Sequence, residues 1–561
     1  MGGLTPSPFP RPPRMLRPLL CLALAAALPA SGMAQMALTP RDSAIHALNR
    51  LAFGAAPGLV DRIAREGVMR WIEDQLAVRD IRDPALDSVE AGFDVLRRSD
   101  AELARAFVGA RRERQAAQAR GASPETMTPE QRRDMRDARD EFRTYGSQVQ
   151  QLAVVRAVRS GHQLAEVMAD FWTNHFNVFY GKNLDRAYLP GYIERTIRPR
   201  ALGRFEDLLA ATARSPAMLI YLDNAQSVAP GSIPPGLERL DRMRRAGRLR
   251  GAAGARADSM RQQIEQRRPT GINENYAREL LELHTLGVDG GYTQKDVVEV
   301  ARILTGWSVE RPLQGGGFVF NGWAHDRGAK QVLGSAFPAG GGEEEGTRLL
   351  GLLAAHPATL HYVSTKLCAR FVSDTPPDGC IDDAVRAWRR SNGEIREVLR
   401  AVFRSPDFWA AASMSTKVKT PLEFVVSAAR AVGAAPDTSP RLAGAIARLG
   451  QPLYLQTAPT GYPETQEDWV NSGALLNRMN FAVILASGRL PGVRVDLDRL
   501  IPAGRDYDAL VDAVDRVILS GKMTARTRRV IREQLADVPN PVQARALAVG
   551  LALGGPEFQR Q

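Results

Sequence analysis

Along most of the chain, apolar residues recur every three or four positions, which is the spacing of a helix with one buried face. The segment 43–53 is typical, because Ile45, Leu48 and Leu51 are apolar and Gly54 follows as a helix terminator. Strictly alternating runs, which indicate half-buried strands, are almost absent. The pattern therefore predicts an all-α (mainly α) protein, built as a large multi-helical single domain with one small β-hairpin.

The hairpin is predicted late in the chain. Residues 317–321 and 331–333 are the only good strand candidates, and the glycine-bearing segment 323–330 between them could form the turn.

Two segments depart from the regular apolar spacing of buried helices. Residues 100–160 indicate long charged helices with a break near 121–129, and residues 226–272 are rich in arginine, glycine and proline, which is typical of a mobile excursion. We therefore expect one mostly helical domain over residues 35–561, with exposed insertions near 100–160 and 226–272.

The first 34 residues have the pattern of a secretory signal peptide. Three arginines precede an apolar run at 19–28, and a small-x-small cleavage pattern ends at Ala34. The apolar run is shorter than a membrane-spanning helix, and no later run approaches that length. The sequence predicts a periplasmic or secreted protein that begins near Gln35 and has no transmembrane segment after cleavage.

Export changes how the cysteines are interpreted. Cys21 lies in the predicted signal peptide, so the mature chain keeps Cys368 and Cys380. In an oxidising compartment two such cysteines favour a disulfide. The alternative is a pair of free or buried thiols.

The charge balance does not indicate a nucleic-acid partner. Lysine and arginine total 74 against 62 acidic residues, for a formal net charge of +12. The basic residues are interleaved with acids along most of the chain, whereas a nucleic-acid binder concentrates them on one element beside stacking aromatics. We therefore expect no nucleic acid among the partners.

The helix predicted at 273–287 carries one group of candidate site residues. Glu279 and Glu282 lie on a polar stripe beside His284, and carboxylates with an imidazole can hold a metal or move a proton. The structural alternative places His284 in the core and forms an ion-pair ladder at i, i+4 and i+8 from Glu274, Arg278 and Glu282.

The aromatic segment 170–180 provides a second candidate, His175. As a helix it would be apolar over a broad face and therefore buried, with Asp170, Asn174 and Asn177 on a polar stripe. His175 could then be a core histidine with a hydrogen-bond partner or a site histidine.

The tip of the predicted hairpin provides the third group. His325, Asp326 and Lys330 lie on a glycine-bearing loop, where such side chains can converge on a ligand. Structural and functional interpretations are equally open here.

Lysine is rare in this chain, and its positions add a weak signal. Arginine replaces it almost everywhere, yet six of the seven lysines lie in or beside the candidate segments, where a compact ammonium could be needed. They are Lys182, Lys295, Lys330, Lys366, Lys417 and Lys419.

Several motifs, in order along nearly the whole chain, resemble one bacterial exported family, catalogued as domain of unknown function 1800. They include His46-Ala-Leu-Asn-Arg-Leu-Ala-Phe-Gly54, Phe171-Trp-Thr-Asn-His-Phe176, Asn275-Tyr-Ala-Arg-Glu-Leu-Leu-Glu-Leu-His-Thr-Leu-Gly287, Gly291-Tyr-Thr-Gln-Lys-Asp296, His325-Asp-Arg-Gly-Ala-Lys330, Lys366-Leu-Cys-Ala-Arg-Phe371, Lys419-Thr-Pro-Leu-Glu423 and Gly461-Tyr-Pro463.

The resemblance implies an exported, largely helical protein, often encoded beside a member of the family catalogued as domain of unknown function 1501. It implies no established reaction. Thr173 stands where the family has histidine, and His284 where it often has phenylalanine, which weakens the case for metal ligation at both positions.

Two hypotheses follow. The first is an envelope enzyme of hydrolytic type, with or without a divalent metal, whose site gathers the catalytic candidates His175, Glu279, Glu282, His325, Asp326 and Lys330. The rival is a non-catalytic binding or assembly partner of another exported protein, in which the same residues form a buried polar network.

Overall fold

The computed structural model describes residues 38–119, 128–267 and 271–561. Helices make up most of these residues and the strands are short, so the protein is mainly α, as the apolar spacing predicts. Thr39–Gln561 form one compact unit. None of the described helices combines the length and apolar character needed to cross a membrane.

The predicted signal peptide and most of the predicted break near 121–129 lie outside the described residues. The helices before the middle of the chain are α1 (Pro40–Leu51), α2 (Leu59–Glu66), α3 (Val68–Leu76), α4 (Asp87–Glu90), α5 (Asp100–Ala119), α6 (Pro129–Arg159) and α7 (Gln163–His175).

The middle of the chain continues with short helices, and two of them extend into π-helical turns, at Tyr192–Ile197 after α8 and at Leu280–Leu286 after α13. The helices are α8 (Asp185–Gly191), α9 (Phe205–Ala213), α10 (Pro216–Tyr221), α11 (Pro235–Arg245), α12 (Gly251–Arg267), α13 (Asn275–Glu279) and α14 (Gln294–Ile303).

The remaining helices follow the small strands. They are α15 (Glu343–Ala354), α16 (Pro357–Phe371), α17 (Asp378–Ser391), α18 (Ile395–Arg404), α19 (Pro421–Ala431), α20 (Arg441–Arg448), α21 (Gln466–Trp469), α22 (Ser472–Ala486), α23 (Tyr507–Ile518), α24 (Ala525–Leu535), α25 (Pro541–Gly554) and α26 (Pro556–Gln559).

The strands form three antiparallel pairs in the described part of the chain, so the prediction of one hairpin was too simple. They are β1 (Trp307–Val309) with β2 (Phe318–Phe320), β3 (Lys330–Val332) with β4 (Ser335–Phe337), and β5 (Ala435–Pro436) with β6 (Val493–Arg494).

The predicted pairing of 317–321 with 331–333 is wrong. The first segment pairs with β1 and the second with β4. Leu333 and Gly334 both have positive φ, 49° and 79°, which closes β3 and β4 through a two-residue turn. This two-residue turn makes the neighbouring segment β4, and not the more distant β2, the partner of β3.

The segment 226–272 contains two helices in its described residues, α11 and α12, which pack on each other. Asp241 and Arg261 join the two helices by an ion pair of 2.6 Å.

Helix α19 shows how local sequence determines where an element begins. The Thr420 side chain accepts a hydrogen bond from the Glu423 amide, while the Glu423 carboxylate accepts one from the Thr420 amide at 2.8 Å. This reciprocal capping box, with Pro421 in the first turn, starts the helix at a defined residue. Thr293 and Asp296 cap α14 in the same way.

Two helices lie at the centre of the core. Every residue of α19 is buried, and so are most residues of α7, as expected for helices that are apolar around most of their circumference. Most polar side chains of these two helices are therefore enclosed by the protein, whereas Asp170 and Asn174 of α7 are half-buried.

Cys368 in α16 and Cys380 in α17 are at disulfide distance, with sulfur atoms 2.05 Å apart and Cα atoms 6.2 Å apart. The pairing predicted from the sequence is thus confirmed.

Candidate functional site

A small polar cavity lies where α7, α16 and the first turn of α19 meet the loop 451–464. We call it the Asp170 cleft. Its volume of about 40 Å³ is enough for up to about three water molecules. Its polar lining consists of Asp170, Thr173, Asn174, Asn177, Arg370, Thr420, Glu423, Gln451, Tyr454, Tyr462 and Glu464.

The α7 side of the cleft is the polar stripe that the sequence places on this segment. The helix ends at His175, so the expected continuation to Tyr180 is wrong, yet Asp170, Asn174 and Asn177 still line one cavity. Residues 170 and 174 are one helical turn apart, which directs both side chains to the same face.

The two asparagines hold the loop in place. Asn174 donates to the Tyr462 carbonyl at 2.8 Å and accepts from the Tyr462 amide at 2.7 Å. Asn177 donates to the carbonyls of Gln456 and Ala458 at 3.1 and 2.8 Å. These bonds join residues almost 300 positions apart and close the cleft.

Gly461 is required for this closure. Its φ is +76°, and a Cβ atom there would lie 2.4 Å from the Asn174 carbonyl oxygen. Only glycine combines this backbone conformation with so close an approach.

An ion pair between Arg370 of α16 and Glu423 of α19 forms the floor of the cleft. Glu423 also caps α19 and accepts from Gln561 at 3.0 Å. Burial would raise the pKa of Glu423, but Arg370 and these hydrogen bonds outweigh it and lower the pKa to about 2. Glu423 is therefore held as a carboxylate.

Asp170 is in the opposite situation. Among the described residues no group donates a hydrogen bond to its carboxylate, which borders the cleft and a second cavity of about 40 Å³. Burial, followed by the charges of Glu423 and Glu464, raises the pKa of Asp170 to about 7, although Arg370 opposes the shift. Two neighbouring carboxyl groups with pKa values moved apart are typical of acid–base sites.

Tyr454 borders both cavities with a backbone conformation that is unusual for a bulky residue. Its φ is 62°, in the left-handed region, and its carbonyl accepts from the Tyr180 amide at 2.9 Å. Strained positions of this kind cluster at functional sites.

The six residues predicted from the sequence do not come together in this cleft or in any of the four described cavities. Within the described part of the chain, no three His, Cys, Asp or Glu side chains are grouped so that they could hold a metal ion.

His175 lies in the core between aromatic rings. Its Nε2 donates to the backbone carbonyl of His284 at 3.2 Å, and burial lowers its pKa well below the usual range. Burial likewise lowers the pKa of His284 to about 3. Both rings are therefore neutral at physiological pH, as core histidines are.

Glu279 and Glu282 are partly exposed at the turn from α13 into the π-helical segment. Glu282 accepts a hydrogen bond from the Tyr292 hydroxyl at 3.0 Å. Burial, together with the charge of Glu282, raises the pKa of Glu279. The two carboxylates are close enough to influence each other, but the predicted imidazoles nearby, His284 and His175, are both buried in the core.

The third predicted group is a paired network. Lys330 lies 2.6 Å and His325 3.3 Å from the same carboxylate oxygen of Glu345, which the sequence analysis did not single out. Asp326 is paired with Arg302 at 2.8 Å. These contacts pair Lys330 and Asp326 with groups of opposite charge, and the contact of Lys330 with Glu345 joins β3 to α15. They therefore stabilise the fold.

Sequence reasoning missed Asp170, Arg370 and Glu423 as site residues. Each lies in or beside a motif that carries the family resemblance, and the polar stripe of α7 pointed to one wall of the cleft. The missing information was which distant motif packs against that stripe.

A family model described as "Protein of unknown function (DUF1800)" matches residues 46–560, nearly the whole chain. The protein is therefore a member of this family, the one its motifs resemble. No curated protein and no solved structure matches the chain.

Proposed function

We propose that the protein is an acid–base hydrolase that acts outside the cytoplasm, with the Asp170 carboxyl as its general base. The observation that carries the proposal is an aspartate that borders a water-sized cleft and has no hydrogen-bond donor among the described residues. Burial at this position raises the pKa of Asp170 to about 7. A base with a pKa near the working pH transfers protons most effectively.

Arg370 supplies the second element of the mechanism. Only its Nη1 atom has a protein acceptor among the described residues, the Glu423 carboxylate. Its other N–H groups can stabilise negative charge that develops when a water molecule, deprotonated by Asp170, attacks a substrate. Glu423 positions Arg370 and keeps it charged.

The setting outside the cytoplasm rests on one observation that supports the predicted signal peptide. The Cys368–Cys380 pair is at disulfide distance, and disulfides persist in oxidising compartments.

The test is hydrolysis of a panel of 4-nitrophenyl esters, phosphates and glycosides by wild type and by Asp170→Asn. We expect the substitution to reduce kcat/KM by about 100-fold or more, because the general base is lost. Wild-type kcat/KM should rise with pH to a plateau above about pH 7, where Asp170 is ionised.

Asp185→Asn is the matched control. Among the described residues, neither Asp170 nor Asp185 accepts a side-chain hydrogen bond, although Asp185 is fully buried and Asp170 is half-buried. Burial raises the pKa of Asp185 to about 9, but Asp185 lies outside the cleft. Its substitution should leave kcat/KM unchanged. Equal rates for wild type and Asp170→Asn would contradict the proposal.

The rival proposal, a non-catalytic partner of another exported protein, is favoured by a different observation. Val470, Leu475 and Leu476 are apolar and exposed, at 44%, 40% and 62%, around the start of α22. Absence of any hydrolysis across the panel would favour this alternative.

A further inference from the structure

Another cavity, larger than the Asp170 cleft, lies on the other side of the first turn of α19. Its volume is about 330 Å³, within the range of small-molecule sites. It is enclosed by α1, α2, α19, the end of α23 and the C-terminal residues 557–560. We call it the Lys419 cavity.

Lys419 lines this cavity and is only 3% exposed. Its backbone amide donates to the Gln559 carbonyl at 2.9 Å, which fixes its position. The ammonium group lies 3.9 Å from the centre of the Phe558 ring, but no oxygen atom of the described residues accepts a hydrogen bond from it. A buried ammonium without an acceptor is costly unless a ligand or water supplies one.

The rest of the lining carries more basic than acidic residues, although Arg499 and Lys522 are paired with Asp496 and Asp42 outside it. The acids are Asp61 and Glu557, and Asp61 is already paired with Arg41. The further bases are Arg41, Arg499, Arg516, Lys522 and Arg560.

Two of these bases are free to act on a ligand. Among the described residues, Arg516 and Arg560 form no ion pair, and both are exposed at the cavity. Ile45, Val60 and Phe558 add an apolar wall. Excess positive charge beside an apolar wall suits an organic anion.

We propose that the Lys419 cavity binds a small organic anion through a carboxylate or phosphate group, with the Lys419 ammonium as its buried contact and Arg516 and Arg560 at the rim. This site is independent of the proposed hydrolysis at Asp170.

Binding should take up a proton. Burial lowers the pKa of Lys419 to about 7, although Glu423 raises it, and Arg478 adds to the lowering. The other charged groups that line the Lys419 cavity are Arg41, Asp61, Arg499, Arg516, Lys522, Glu557 and Arg560. An anion beside Nζ favours the charged amine, so near pH 7.5 the complex should hold more protons than the free protein.

The test is isothermal titration calorimetry of the full mature chain with two probes, inorganic phosphate and citrate, in two buffers that differ in ionisation enthalpy. We expect saturable binding of at least one probe, with proton uptake, above the level seen with sodium chloride at equal ionic strength. The probe that binds more tightly identifies the anionic group.

Lys419→Met keeps the packing of the side-chain stem on Phe558 but removes the ammonium. We expect affinity to fall about tenfold or more and proton uptake to disappear. Arg516→Gln, an exposed change that should not affect folding, should weaken binding several-fold.

The controls separate this site from general charge and from the hydrolase proposal. Lys295→Met removes an exposed lysine on α14, and Asp170→Asn alters the other cavity. Neither should change affinity. Absence of saturable binding to wild type would overturn the proposal, and so would equal affinity in Lys419→Met. If Lys419→Met does not fold, unchanged affinity in Arg516→Gln overturns it.

Discussion

At the scale of single residues, the buried and half-buried charged side chains differ in whether they have a partner. Lys330, Arg302 and Arg370 each have a carboxylate partner. Among the described residues, Asp170 has no hydrogen-bond donor and Lys419 has no hydrogen-bond acceptor, and each borders a cavity. Because an unpaired ionisable group is costly to bury, a position beside a cavity makes these two residues candidates for a functional role.

The raised pKa of Asp170 makes stability depend on pH. Between about pH 4 and pH 7 the folded protein holds a proton that the unfolded chain has released, so the free energy of unfolding falls as pH rises. Asp170→Asn removes this effect. We expect its free energy of unfolding, relative to wild type, to increase by on the order of 2–4 kcal/mol from pH 4 to pH 8 in urea titrations.

Asp185→Asn provides the comparison. Both carboxylate oxygens of Asp185 are buried without a partner in the described part of the chain, and its pKa is raised to about 9. The free energy of unfolding of Asp185→Asn, relative to wild type, should therefore continue to increase above pH 8. For Asp170→Asn this increase is already complete at that pH. Parallel curves for wild type and Asp170→Asn over the whole range would show that the Asp170 pKa is not raised.

At the scale of elements, helix starts were more predictable than strand partners. A capping box such as Thr293 with Asp296 lies within four residues, so the sequence contains both halves of the signal. The pairing of β3 depended instead on Leu333 adopting positive φ beside Gly334. A leucine carries no sequence signal for that conformation, so the sequence favoured a longer loop and the wrong partner.

The Cys368–Cys380 link joins α16 to α17, and α16 also carries Arg370 of the cleft. Replacing both cysteines by serine should lower the free energy of unfolding by about 3 kcal/mol, because the unfolded chain regains the freedom of the closed loop. Guanidinium titration measures the change. Reduced wild type should match the variant, and an equal midpoint for oxidised and reduced wild type would contradict a stabilising disulfide.

At the scale of the whole molecule, one family model covers residues 46–560, and Thr39–Gln561 form one compact unit. Distant motifs therefore share one fold, and the Asp170 cleft collects residues from four of them. The two cavities lie on either side of the motif that starts α19, since Thr420 and Glu423 line one and Lys419 the other.

The predicted export can be tested on the complete chain. Expressed with residues 1–34 in a Gram-negative host, the protein should be recovered from the periplasm or medium with its N-terminus near Gln35, because the n-region, apolar run and cleavage pattern direct export and processing. Intact mass and N-terminal sequencing measure this. A variant without residues 1–34 should stay in the cytoplasm, and an unprocessed chain retained there would contradict the prediction.

Local spacing and chemistry were enough to infer the mainly helical class and the cysteine pair, and the resemblance of motifs taken in order indicated the family. These features depend on residues close in the chain or on motifs read in order, so no packing is needed to recognise them. The cleft was different. Arg370 meets Glu423 across 53 positions, and Asn174 meets Tyr462 across 288. Such partners are determined by how buried helices pack. Packing also placed Glu345 beside His325 and Lys330, whereas it left Asp170 without a donor and Lys419 without an acceptor among the described residues.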